Sequence, residues 1–71
     1  MQFHERLKDL RISRNLTQKD VYTTVGLSML GYQRYEYGDR TPPLPTLLAL
    51  ADFFDVSLDY LVGRSDEPSR R

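Results

Sequence analysis

An all-α fold is what this sequence of 71 residues predicts, and three observations lead there. Apolar residues recur at helical spacing, Ser and Thr stand just before short amphipathic runs, and glycine or asparagine stands where those runs stop. The pattern describes a compact bundle of five helices with no strands. A chain this short forms one domain and buries only about 60% of the surface that its unfolded form exposes. Every apolar residue in a regular pattern is therefore expected in the core.

The first helix is expected over residues 2–14, where Phe3, Leu7 and Leu10 form one apolar stripe with charges between them. Ile12 lies off that stripe and is expected to be partly exposed, and Asn15 suits a left-handed stop. Three later segments then repeat one pattern: Leu16-Thr17 with Val21, Leu27-Ser28 with Tyr32, and Val56-Ser57 with Leu61. In each, a hydroxyl can accept a backbone N–H of the first helical turn while the flanking apolar pair closes over it. Asp20 adds a carboxylate to the first turn of its helix, where the helix dipole favours it. These segments start helices over 18–25, 29–37 and 58–62, which stop at Gly26, Gly38 and Gly63.

Consecutive prolines make Asp39-Arg40-Thr41-Pro42-Pro43 a loop. Pro45 then sits in the first turn of a helix over 45–54, where its missing N–H costs nothing. Leu47, Leu50, Ala51 and Phe54 give that helix its core face. Residues 1–63 form the domain, and residues 64–71, which contain no apolar side chain, are expected to be a mobile tail.

Composition excludes several classes of function. With no cysteine there is neither a disulfide framework nor a thiolate zinc site, and the single His4, expected on the surface, leaves no ligand set for another metal. No cofactor is implied. No nucleophile stands beside a base and no glycine loop is built for phosphate, so an enzyme is not expected. Asp52, Asp55 and Asp59 are spread over two helices and are expected to form a solvated face. The apolar run from Leu47 to Ala51 is far below the roughly 18 residues of a membrane helix, and the first residues are unlike a signal peptide. A soluble protein in a reducing cytoplasm is expected.

Ten basic and ten acidic residues give a net charge of zero, which at first argues against a nucleic-acid partner. The distribution changes that. Residues 1–40 hold seven basic groups against five acidic ones, an excess of +2, while residues 41–71 hold three against five, an excess of −2. Within the basic half, the second and third helices are each about two turns long and are joined only by Gly26 and Leu27. Such a join forces a sharp crossing, and this is a helix-turn-helix by spacing. Neither helix is stable alone, so Val21, Val25, Leu27, Tyr32 and Tyr35 must pack together and onto the others.

Several segments carry a family resemblance that runs in order from Phe3 to about Gly63. They are Leu16-Thr17-Gln18-Lys19-Asp20-Val21, Val25-Gly26-Leu27-Ser28, Arg34-Tyr35-Glu36-Tyr37-Gly38, Leu47-Leu48-Ala49-Leu50-Ala51-Asp52 and Val56-Ser57-Leu58-Asp59-Tyr60-Leu61. The sequence resembles the Cro/repressor-type helix-turn-helix family, also called the XRE family. What the resemblance implies is a five-helix, repressor-like DNA-binding domain of a bacterial or phage transcription regulator, usually dimeric on its operator. It further implies a buried ion pair between Arg11 and Glu36, and phosphate contacts from Gln18 and Ser28 at two helix N-termini. Where most of the family has alanine in the second helix, this chain has Tyr22, so that ring must turn aside or hold the two helices apart.

In the docking mode of such proteins the N-terminal part of the third helix enters the major groove. Arg34, with a planar fork that fits guanine, is the first candidate base reader; the alternative is a solvated surface arginine. Gln33 could pair with adenine or reach a phosphate. Met29 and Leu30 are assigned to thymine methyl groups, or else to a protein partner or dimer mate. Gly31 costs about 1 kcal/mol relative to alanine inside a helix, which close approach to DNA would offset. Arg40 and Thr41 could clamp the backbone further along. Leu58, Tyr60 and Val62 are the candidate dimer surface, since two recognition helices must reach grooves about 34 Å apart. Two functions follow: a sequence-specific regulator, acting as a repressor that binds a palindromic operator in double-stranded DNA as a homodimer at the nucleoid, or a protein-interaction module with an antitoxin-like role.

Overall fold

Thr17, Ser28 and Ser57 each start a helix by accepting a backbone N–H three residues on. Thr17 Oγ1 accepts from Asp20 N at 3.0 Å, Ser28 Oγ from Gly31 N at 3.1 Å and Ser57 Oγ from Tyr60 N at 3.0 Å. Asp20 completes a reciprocal box by accepting from Thr17 N at 2.8 Å, and hydrogen bonding to Thr17 holds its carboxyl below the ordinary range. In this computed structural model, which describes residues 1–70, the helices are α1 (Phe3–Ser13), α2 (Gln18–Val25), α3 (Met29–Tyr37), α4 (Leu44–Phe54) and α5 (Leu58–Leu61). Each expected boundary is met within one residue. No strand occurs among the described residues.

The stops follow the same local chemistry. Asn15 takes a left-handed φ of +57° after α1, and Gly26 and Gly38 do so at the ends of α2 and α3. Asp55, also left-handed at φ +55°, ends α4. Residue spacing alone places Asp55 only on a solvated face, because its left-handed backbone carries no glycine or asparagine signal.

One core joins all five helices. Leu7 and Leu10 of α1, Val21 of α2, Tyr32 of α3, Leu50, Ala51 and Phe54 of α4, Val56, and Leu61 of α5 are buried together. Helix α3 packs on α1 and α2, while α5 packs on α1 and α4. Tyr22 stays in the α2–α3 contact, its ring tilted 46° to that of Tyr32 with centroids 6.3 Å apart. Ile12 is exposed, being off the stripe.

The tail does not project freely. Arg64 N and Ser65 N donate to Asp59 O at 2.8 and 3.2 Å, and Ser57 N donates to Pro68 O at 3.0 Å. Arg70 is paired with Asp52, and with Asp55 at 3.7 Å. Residues 64–70 thus lie against α4 and α5 through backbone hydrogen bonds and surface ion pairs, with no apolar anchor, and Arg71 lies outside the described residues. No helix among the described residues is long and apolar enough to cross a membrane.

Candidate nucleic-acid interface

A buried carboxylate sets the orientation of α3. Glu36 is 4% exposed and accepts four hydrogen bonds. Arg11 Nε donates to its Oε2 at 2.7 Å and Arg11 Nη2 to its Oε1 at 3.1 Å, while Gln18 Nε2 reaches Oε1 at 3.2 Å and the Tyr32 hydroxyl donates to Oε2. Burial alone would raise the Glu36 pKa. The bonds from Arg11, Tyr32 and Gln18 outweigh it and hold the carboxyl below the ordinary range. The same bond to Glu36 raises the Arg11 pKa, and burial followed by the Glu36 bond pushes the Tyr32 phenol up. Arg11 Nη1 also donates to Leu16 O at 3.0 Å, tying the α1–α2 connection to the pair.

With Tyr32 and Glu36 turned inward, the helical period places Leu30, Arg34 and Tyr37 on the opposite face. Met29 is 54% exposed, Leu30 56% and Tyr37 63%. Ser28 is exposed too, whereas Gln33 and Arg34 are half-buried. Gln33 lies on the flank toward α2, where its Nε2 donates to Gln18 Oε1 at 3.3 Å. Arg40 and Thr41 are exposed in the loop after α3, and Arg40 N donates to Arg34 O at 3.3 Å. The N-termini of α2 and α3, Gln33 and Arg34 therefore belong to one surface, which an exposed apolar pair leads.

Three placements differ from what spacing alone suggests. The Gln18 amide is engaged by Glu36 and Gln33, which spacing cannot show. Tyr37, which enters the sequence argument only as part of a motif, is the most exposed aromatic of α3. A Cβ on Gly31 would lie 2.9 Å from Ser28 Oγ, so the glycine also leaves room for the hydroxyl that caps the helix.

In α5 and just after it, Leu58, Tyr60 and Val62 are all half-buried. The guanidinium of Arg6 lies 3.7 Å from the centroid of the Tyr60 ring and is itself 4% exposed. Arg6 Nε donates to Met1 Sδ at 3.2 Å and Nη2 to Asp66 Oδ1 at 3.4 Å, while Nη1 has no hydrogen-bond partner among the described residues. The apolar area of α5 is thus partly taken up within the chain, and exposed Leu44 and Leu48 of α4 offer a second apolar stretch.

Comparison with known proteins agrees with this geometry. The family model described as helix-turn-helix matches residues 7–61. The uncharacterized HTH-type transcriptional regulator YobD of Bacillus subtilis is 38% identical over 64 residues, which are 90% of this chain and 57% of that protein. The cryptic phage CTXphi transcriptional repressor RstR of Vibrio cholerae is 36% identical over 64 residues, again 90% and 57%. This chain therefore spans little more than half the length of these relatives. Among solved structures, the P22 c2 repressor in complex with a synthetic operator superposes with a TM-score of 0.84 at 26% identity, covering 92% of this chain and 98% of that one. Capped short helices, the turn at Gly26, the Arg11–Glu36 pair and a family match over most of the sequence lead to one assignment: the chain belongs to the helix-turn-helix family of the Cro/repressor type.

Proposed function

We propose that the chain is the DNA-binding part of a transcription regulator, a repressor that occupies a palindromic operator as a homodimer. The observation that carries this reading is the outward face of α3. Met29 and Leu30 at its start are exposed, yet the orientation of the helix is held by a buried carboxylate with four donors. A groove-reading helix needs that combination of free surface and fixed direction. The P22 c2 repressor, solved with an operator, and RstR, named a repressor, support the reading by likeness.

In this proposal Arg34 reads guanine, Met29 and Leu30 contact thymine methyl groups, and Ser28, Arg40 and Thr41 hold the phosphate backbone. Leu58, Tyr60 and Val62 contribute to the dimer contact. Residues 1–63 act as the binding domain and 64–71 as its tail, and the protein works in the cytoplasm at the nucleoid.

Selection of bound sequences from random duplexes at two salt concentrations tests this. Enrichment of a palindrome that is lost on Arg34→Ala is the expected result, and salt-sensitive binding without enrichment overturns it. A second reading, a protein-interaction module of antitoxin-like role, is favoured by one observation, the exposure of Met29 and Leu30 at 54% and 56%. It predicts that Met29→Ala and Leu30→Ala abolish capture of a partner protein while leaving DNA affinity unchanged.

A further inference from the structure

The amides of Gln18 and Gln33 form a relay from the buried ion pair to the flank of α3 that faces α2. Glu36 is ionised at neutral pH, and an ionised carboxylate only accepts hydrogen bonds. Gln18 Nε2 donates to Glu36 Oε1 at 3.2 Å, so the NH2 end of Gln18 faces inward and its Oε1 faces outward. Gln33 Nε2 donates to that oxygen at 3.3 Å, and the polarity is passed on a second time. What Gln33 keeps free for a ligand is its carbonyl oxygen and one N–H. Adenine offers the complement in the major groove, a donor at N6 beside an acceptor at N7, whereas guanine offers two acceptors and would face the Gln33 oxygen with a lone pair.

We propose that Glu36, acting through Gln18, is a positioning residue that fixes the amide of Gln33 and makes Gln33 a reader of adenine. The inference rests on the operator-binding reading above. It adds a role for Gln18 that is directed at Gln33 rather than at a phosphate, and it separates one base position from the rest of the site. A donor-only side chain at position 18 would reverse the relay. The ammonium of Gln18→Lys would donate to Glu36 and to the Gln33 oxygen, leaving the Gln33 NH2 outward and suited to guanine.

The test is selection from randomised duplexes with the wild type, Gln33→Ala, Gln18→Ala and Gln18→Lys, each checked for folding by its thermal melt. The wild type should prefer adenine by about tenfold at one position of each half-site. Gln33→Ala and Gln18→Ala should remove that preference, and Gln18→Lys should turn it toward guanine, with the other positions unchanged. If the Gln18 variants lose affinity but keep the adenine preference, or if Gln33→Ala alters no position, the relay is overturned while operator binding stands. If the wild type enriches no sequence, both fall. A DNA-free measurement bears on the relay independently: 15N relaxation of the Gln33 side-chain amide should show greater mobility in Gln18→Ala, and an unchanged amide overturns the relay.

Discussion

A Cβ built on Gly63 would lie 2.1 Å from the carbonyl oxygen of Met1, so the first residue is seated against the turn that follows α5. Gly63 and Gly26 share a left-handed backbone, at φ +84° and +88°, but nothing lies within 4 Å of a Cβ on Gly26. Alanine at Gly26 therefore meets only conformational strain, about 1–2 kcal/mol. Alanine at Gly63 must also displace Met1. Urea unfolding should show the larger loss for Gly63→Ala, and a chain lacking Met1 should cancel the difference between the two sites. Equal losses with Met1 present would show that residue 1 yields freely.

The Arg11–Glu36 pair has side chains 14% and 1% exposed, and the cost of breaking it differs from the cost of removing it. Arg11→Ala leaves an uncompensated charge beside Tyr32 and should cost roughly 3–5 kcal/mol. Replacing both partners by apolar residues should cost well under the sum of the single losses, because no buried charge is then left alone. Chemical denaturation of the two single variants and the double variant measures this, and additive losses would contradict it.

Acid should weaken the fold with a defined sign. The folded-state pKa of Glu36 lies below its ordinary 4.5. Its contribution is therefore complete above that value and is lost as pH falls through the folded-state value. Asp20 and Glu67 are shifted the same way by their own hydrogen bonds. The urea midpoint should fall as pH drops below about 4.5, less steeply in Glu36→Gln and less again with Asp20→Asn added. An unchanged slope in Glu36→Gln would remove Glu36 from the account.

Arg34 and Arg40 should differ in kind. Arg34→Ala should lose roughly 1–3 kcal/mol of discrimination at one base position. Arg40→Ala should weaken all duplexes alike and lower the slope of log affinity against log salt by about 1. Titrations of the enriched duplex and its single-base variants, at several salt concentrations, separate the two. Identical behaviour would mean that Arg34 contacts only phosphate.

The helices were legible because their signals are local. Thr17, Ser28 and Ser57 cap within three residues, and the apolar stripes repeat within a turn. What lay beyond the sequence depends on long side chains meeting across helices. Arg6 counted as one basic group among ten, yet it stands three residues after Phe3 and four before Leu10, on the stripe that is buried. Its spacing held the signal and its charge concealed it. The Gln18–Gln33 contact spans fifteen positions and depends on the rotamers of both side chains. The tail is placed by carbonyls such as Pro68 O and Asp59 O, and a backbone acceptor leaves no mark in residue type.

Fastening α3 through Glu36 to α1 and to α2 has one more effect. The helix cannot roll about its own axis without breaking the bonds from Arg11 and Gln18 together. On the operator proposed above, a mismatch in groove geometry then falls on the duplex, which must twist or bend to meet the protein. Affinity should therefore vary with the flexibility of base steps between half-sites that no side chain touches.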